Sequence, residues 1–307
     1  MTNDTEDTED TEDTEDVDLR YVYAVCRPPL AAPLQADLTG VAGAPPRQLA
    51  HNGLVAVVGT VPGRDFAREP LSAHLEDLDW LAETARAHQN VVAALTTVTC
   101  PLPLRLGTVF RDDSGVRTML EREAVKLARI LDRIDGHVEW GVKVWLGDSG
   151  TDVREVADGL AASGAAPSQP PSDAEGAGRA YLRRRCSQRT AREDALAQAE
   201  EFARRLHGDL TVYAADARLH PVQSSALTRP HWGRNILNAA YLVRRAQAEE
   251  FLDLVGRTQG DLPGLRVEVT GPWAAYSFTD DDPGGDPGGD PDVVLGDVPN
   301  GAPGGRV

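Results

Sequence analysis

Apolar and polar positions follow two different periods along this chain, and the periods switch several times. Near the start, Leu19-Arg-Tyr-Val-Tyr-Ala-Val25 is β-branched and aromatic, which predicts a strand. Leu54-Val-Ala-Val-Val58 follows the turn-like pair Asn52-Gly53, and its unbroken apolar run predicts a strand covered on both faces. Leu71, Leu75, Leu78, Ala82 and Ala85 then recur at spacings of four and three, one helical stripe with Ser72 as its candidate cap. Leu120, Ala124, Leu127, Leu131 and Ile134 repeat the pattern, and Asp135-Gly136 supplies a stop. An extended piece lies between the two helices, around residues 98–110. In His137–Leu146 the period returns to two, with Val138, Trp140, Val142, Val144 and Leu146 predicted on one buried face.

The later part begins with a long charged helix at about Arg179–Leu206. Strands are predicted at Leu210–Ala214 and near Ile236–Val243, a helix near Ala246–Val255, and a last strand over Leu265–Phe278, interrupted at Gly271-Pro272. Helices and strands mix without a regular βαβ rhythm. That predicts an α+β protein, with helices on one face of a mostly antiparallel sheet. A segment rich in Gly, Ala, Ser and Pro covers 147–178 and reads as a linker, with room for a short helix at Val153–Leu160. It divides the folded chain into 17–146 and 179–279.

The ends change the picture of charge. Residues 5–16 repeat Thr-Glu-Asp four times, and 282–291 read Asp-Pro-Gly-Gly-Asp-Pro-Gly-Gly-Asp-Pro. Neither can bury enough apolar surface to fold, so 1–16 and 280–307 are expected to be disordered tails. Residues 1–16 carry nine carboxylates and no base, and 280–307 seven carboxylates against one Arg. The two ends therefore hold −15 of the formal −17, and the span between them is close to neutral. A nucleic-acid binder needs the opposite balance, a surplus of Lys and Arg that displaces counterions, so no nucleic-acid partner is expected.

Cys26, Cys100 and Cys186 are far apart and form no C-x-x-C pair, which fits buried reduced thiols rather than a disulfide framework or zinc site. No basic start precedes an early apolar run, and no apolar stretch reaches the about 18 residues a membrane helix needs. The expectation is a cytoplasmic protein with no membrane partner.

Catalytic signals are scarce. The chain has no phosphate loop, no G-x-G-x-x-G after a strand, no H-E-x-x-H and no G-x-S-x-G. The seven histidines are scattered. His137 and Glu139 share a strand face and are read as its polar side, while Glu121 and Glu123 are read as acids favoured early in a helix. No catalytic residue, cofactor or metal is assigned, and the protein is expected not to be an enzyme.

One cluster is unusual: Pro101-Leu-Pro-Leu-Arg-Leu-Gly-Thr-Val-Phe-Arg111. Its prolines fix an extended chain and its glycine permits a turn. It reads either as a binding edge whose Arg donors meet a partner's carboxylates, or as a crossover whose Arg side chains pair internally. Arg105, Gly107, Phe110 and Arg111 are the candidate partner-binding residues. Arg183-Arg184-Arg185 reads as a basic patch or a solvated helix face, and Trp273 as a surface anchor or, preferably, a core residue.

Six segments stand in a telling order: Tyr21-Val-Tyr-Ala-Val, Leu102-Pro-Leu-Arg-Leu-Gly-Thr-Val-Phe, Val138-Glu-Trp-Gly-Val-Lys-Val, Gly178-Arg-Ala-Tyr-Leu, Asn238-Ala-Ala-Tyr-Leu-Val and Gly271-Pro-Trp-Ala-Ala-Tyr-Ser-Phe. Together, over residues 20–278, they resemble the F/L family of gas vesicle proteins. Leu106 stands where the family usually has Phe, and Ala274 and Ala275 where it has prolines. The resemblance implies an N-terminal α/β domain and a C-terminal ferredoxin-like domain. It also implies a minor vesicle component that binds the hydrophobic shell subunit, of the GvpA type, aids nucleation and limits aggregation. Other gas vesicle accessory proteins are implied as further partners, in the cytoplasm and on the vesicle. Two alternatives remain beside this reading, an enzyme on a ferredoxin-like scaffold and a structural component of the vesicle surface.

Overall fold

A computed structural model describes residues 17–28, 30, 34–35, 37–147, 174–222, 233–258 and 263–279. The two tails and nearly all of the proposed linker, with its short helix at Val153–Leu160, lie outside the described residues.

The chain forms two compact units. In the first, β1 (Asp18–Cys26), β2 (Arg47–His51), β3 (Leu54–Pro62), β4 (Leu102–Pro103) and β5 (Val109–Phe110) make one sheet in the order β2-β3-β1-β4, with β5 also on β1. Every pairing is antiparallel. The Asn52-Gly53 pair closes the β2–β3 hairpin with both residues at positive φ, the form that matches strand twist. β2 was not legible, because only Leu49 of its five residues is buried and edge strands carry little apolar signal.

β3 is covered on both faces, as its apolar run predicts. A bulge in β1 between Val22 and Ala24 shifts the pairing register, so Tyr21 and Tyr23 lie on the same side as Ala24 and Cys26. That side packs on α1 (Gly63–Phe66), α2 (Arg68–His74) and α3 (Leu78–Thr96) through Phe66, Leu71, Val91, Val92 and Leu95. The other side, with Val22, Val25, Ala56 and Val58, is equally buried; α4 (Asp113–Arg122) and α5 (Ala124–Ile134) contribute buried Val116, Leu120, Leu127, Ile130, Leu131 and Ile134.

Two predicted helices are each two. The chain breaks at Leu75–Asp77, and Asp77, not Ser72, caps the new helix by accepting from Asp79 N and Trp80 N. Leu78, counted in the apolar stripe, is 78% exposed. Glu123 likewise separates α4 from α5, so Glu121 falls in the last turn of α4 rather than early in a helix. There it hydrogen-bonds His51 Nε2 at 2.6 Å, an attractive partner at an end where a helix dipole offers none.

The second unit begins at Val138, eight residues before the boundary expected at 146. Its elements run β6 (His137–Leu146), α6 (Ala174–Tyr213), β7 (Asp216–Leu219), β8 (Arg234–Arg244), α7 (Ala248–Arg257), β9 (Leu265–Trp273), with the sheet ordered β7-β8-β6-β9. This β-α-β-β-α-β succession is the ferredoxin-like arrangement. The boundary moves because β6 is a central strand of this sheet: Val138, Trp140, Val142 and Val144 join its core. Helix α6 starts at Ala174, inside the expected linker. It also continues through the predicted strand Leu210–Ala214. Leu210 is fully buried while Val212 is 81% exposed, a helical alternation that outweighs the β-branched composition.

β9 ends at Trp273, short of the expected Phe278; residues 276–278 form a single 3-10 turn and belong to the first unit, where Ala274 and Tyr276 join the core. Trp273 itself is 41% exposed, so the core assignment fails for it. Gly271 sits at φ +134, and a Cβ there would lie 2.8 Å from Glu139 O and 2.9 Å from the Trp140 ring. Both obstacles are fixed, one of them backbone. Gly271→Ala is therefore expected to destabilise the second unit by about 2 kcal/mol or more, read as a lowered urea midpoint.

Candidate partner-binding site

The crossover from β4 to β5 holds the four candidate residues, and the fold uses them in two ways. Arg105 and Arg111 are exposed. Gly107 and Phe110 are built into the unit instead. Gly107 is buried at φ +80, a conformation that favours glycine, and its N–H donates to Tyr21 Oη at 3.2 Å. Phe110 is half-buried, paired with Arg20 across β5 and β1. The crossover is closed by Thr108, whose N–H and Oγ1 both donate to Arg105 O, at 3.2 and 2.7 Å. Its two flanks are tied to β1, where Leu104 N donates to Tyr23 O and Val22 N to Thr108 O, each at 2.9 Å.

Beneath the crossover lies a buried polar and aromatic cluster that sequence reading missed. Tyr21 Oη accepts from Gly107 N and shares a hydrogen bond of 3.0 Å with His88 Nδ1, whose direction follows the imidazole tautomer. Tyr23 Oη accepts from Val41 N at 2.8 Å. The ring of Tyr21 meets Tyr23, Phe66 and His88 at centroid separations of 4.9, 6.0 and 5.7 Å. Burial pushes the Tyr21 phenol well above its ordinary value and the Tyr23 phenol up to about 12. The same burial pulls His88 down to about 4. A signal for His88 existed: it lies in register with Thr84, Val91, Val92 and Leu95 on the inward stripe of α3.

Tyr21→Phe leaves Gly107 N–H and His88 Nδ1 without this partner. It is expected to cost about 1–3 kcal/mol. Because the lost bond is the one beneath the crossover, amide exchange at residues 105–108 should rise in the variant.

Beside Phe110, several guanidiniums gather around one carboxylate. Asp113, at the start of α4, receives Arg20 Nε at 2.9 Å and Arg47 Nη2, with Arg117 Nη2 at 4.0 Å. Its carboxyl is held below the usual range, first by the Arg47 hydrogen bond, then against burial by Arg20. Asp112 caps the same helix, accepting from Gly115 N at 2.9 Å. One carboxylate thus serves three guanidiniums, and exposed Arg111 adds a fourth cation nearby in sequence. The arrangement can accept carboxylates from a partner.

The remaining candidates are placed as follows. Cys26 is buried, its thiol pushed up to about 12 by burial; Cys100 is half-buried; Cys186 is exposed, against the expectation that all three are covered. His137 Nδ1 lies 2.6 Å from Asp135 O, and Glu139 is buried. Among the described residues, no three His, Cys, Asp or Glu side chains gather where a metal ion could bridge them. No helix of the described residues is long and apolar enough to cross a membrane.

The family model for gas vesicle synthesis protein GvpL/GvpF matches residues 19–280, nearly all of the chain between its acidic ends. The chain belongs to the GvpL/GvpF family. It is 49% identical over 261 residues to gas vesicle protein L of Streptomyces sp. (strain CB03234), covering 85% of this chain and 92% of that protein. Gas vesicle protein F of the same strain is 29% identical over 274 residues, covering 85% and 99%. Crystal structures of GvpF from Anabaena sp. PCC7120 and from Microcystis aeruginosa share the fold, at TM-scores of 0.56 and 0.57 with 16% identity. They cover 86% and 85% of this chain, and 96% and 99% of their own. At that identity the likeness shows the shared fold alone. The GvpL/GvpF match includes the crossover and both exposed arginines, and it leaves out the Thr-Glu-Asp repeat.

Proposed function

We propose that this chain is a non-catalytic assembly factor of gas vesicles, working in the cytoplasm as a minor vesicle component. It binds the hydrophobic shell subunit, helps nucleate the vesicle wall and limits aggregation of that subunit. The observation that carries the reading is the Arg105–Arg111 crossover: two exposed cations held on a backbone that is locked to the buried Tyr21. Exposed cations on a fixed frame bind carboxylates with little ordering cost. A subunit that builds a gas-filled wall carries apolar surface before assembly, and a charged partner keeps such surface dispersed. The acidic ends of this chain supply that charge.

Coexpression tests this. Intact protein should co-purify with the shell subunit, and Arg105→Glu/Arg111→Glu should recover at least tenfold less of it with an unchanged unfolding midpoint. Equal recovery with the doubly reversed variant would remove the crossover from the interface.

A further inference from the structure

Helix α6 spans forty residues, and among its described side chains those that are buried all lie in the second half. Along one face, Leu182, Arg185, Arg189, Arg192, Leu196, Ala199, Ala203, Leu206 and Leu210 recur at alternating spacings of three and four. From Ala199 onward this face is buried against β6 and β8 together with Phe202. The described side chains from Arg179 to Asp194 are all exposed, Tyr181 at 60% and Leu182 at 62%. The seam that serves the core in the second half therefore continues as an arginine stripe with an apolar end.

A segment like this is a poor helix by itself. Residues 179–192 hold six arginines and no acid. Like charges four apart, as at Arg179 and Arg183 or Arg185 and Arg189, each oppose the helix by about 0.2–0.5 kcal/mol. Among the described residues the offset on the stripe is the pair Arg189 Nε to Glu193 Oε1 at 3.4 Å, itself highly exposed. Unpacked helices gain most of their stability from a partner on the seam.

We propose that the first half of α6 is a docking surface for an acidic helix of another protein. Carboxylates at alternating spacings of three and four on that helix oppose Arg185, Arg189 and Arg192, and an apolar residue covers Tyr181 and Leu182. The ladder geometry is that of flanking ion pairs between paired helices. A second copy of this stretch is excluded as occupant because its arginines repel. A lipid surface fits poorly, since cations occupy several sides of the helix and leave no broad apolar face. Duplex DNA is disfavoured at long range by the net charge of −17. This inference is independent of the shell-subunit reading.

The test is fluorescence anisotropy of the full-length protein with a labelled 21-residue alanine-based peptide bearing Glu at alternating spacings of three and four and one central Leu. Its comparators are the same residues in scrambled order, a 20-base-pair DNA duplex and phosphatidylserine vesicles. The ordered peptide should bind at least tenfold more tightly than each comparator, and Arg185→Glu/Arg189→Glu/Arg192→Glu should abolish that binding while the unfolding midpoint stays put. Failure of the ordered peptide to bind, equal binding of the scrambled peptide, tighter binding of the duplex or the vesicles, or undiminished binding by the triple variant overturns the proposal.

Discussion

Phe251→Ala is expected to lower the stability of the second unit by about 3–5 kcal/mol, the range for truncating a fully buried aromatic. Phe251 has no exposed surface, lies on α7 and packs in the same core as Val142, Val144, Leu206 and Tyr241. Its ring centroid is 5.5 Å from that of Tyr241, whose hydroxyl in turn lies 2.7 Å from His207 Nδ1. These side chains come from three different elements, β6, α6 and β8, so they cannot all collapse into the space it leaves. Urea unfolding checks this. Val125→Ala, at a position 76% exposed in the first unit, should move the midpoint by less than about 0.5 kcal/mol and serves as the comparison.

Acid should weaken the first unit well above the carboxylate range, and His88 is the cause. The folded protein holds this imidazole neutral down to about pH 4, whereas the unfolded chain protonates it near 6.5. Between those values the unfolded state binds more protons. Stability is therefore intact above about pH 6.5 and falls as the pH drops to 4, by about 3 kcal/mol, at roughly 1.36 kcal/mol per pH unit across the gap between the two values. The aromatic rings facing the imidazole are those of Tyr21, Tyr23 and Tyr276, and burial raises the Tyr21 and Tyr23 phenols, so those two stay neutral in this window. Burial is the cause of the lowered value, with no compensating anion among the described residues. Unfolding measured from pH 7 to pH 4 should show this slope, and His88→Gln, whatever its cost at pH 7, should flatten it. A slope unchanged in the variant would assign the acid sensitivity to other groups.

Much of the architecture was legible because it depends on period. The alternation of Val138, Trp140, Val142 and Val144 identified β6 and its buried face, and the run Leu54–Val58 identified a strand covered on both sides. What period cannot report is partnership. β6 follows the first unit in sequence yet pairs in the second sheet, so a boundary drawn at the linker fell in the wrong place. Residues 274–279 carry the opposite lesson, continuing from β9 but contributing Ala274 and Tyr276 to the first core. Local composition also misled at Leu210–Ala214, where a β-branched run lies in the last turn of α6.

The candidate site was half legible. Arg105 and Arg111 flank a turn-forming segment, and both are exposed as a binding edge requires. The roles of Gly107 and Phe110 were not, since an N–H bonded to a tyrosine 86 residues away leaves no local trace. Arg47 and Arg20, gathered on Asp113, come from strands distant in sequence. The family was legible because five of the six ordered segments coincide with strand, crossover or turn positions that the fold constrains, and the sixth, Gly178–Leu182, lies on α6.

The most direct test of the account adds purified full-length protein to the shell subunit as the subunit is diluted out of denaturant, with light scattering followed over time. The account predicts that equimolar protein suppresses the rise in scattering and that the two elute together from a sizing column. Scattering that grows as fast as in the presence of an unrelated protein of equal charge, with no co-elution, would contradict it.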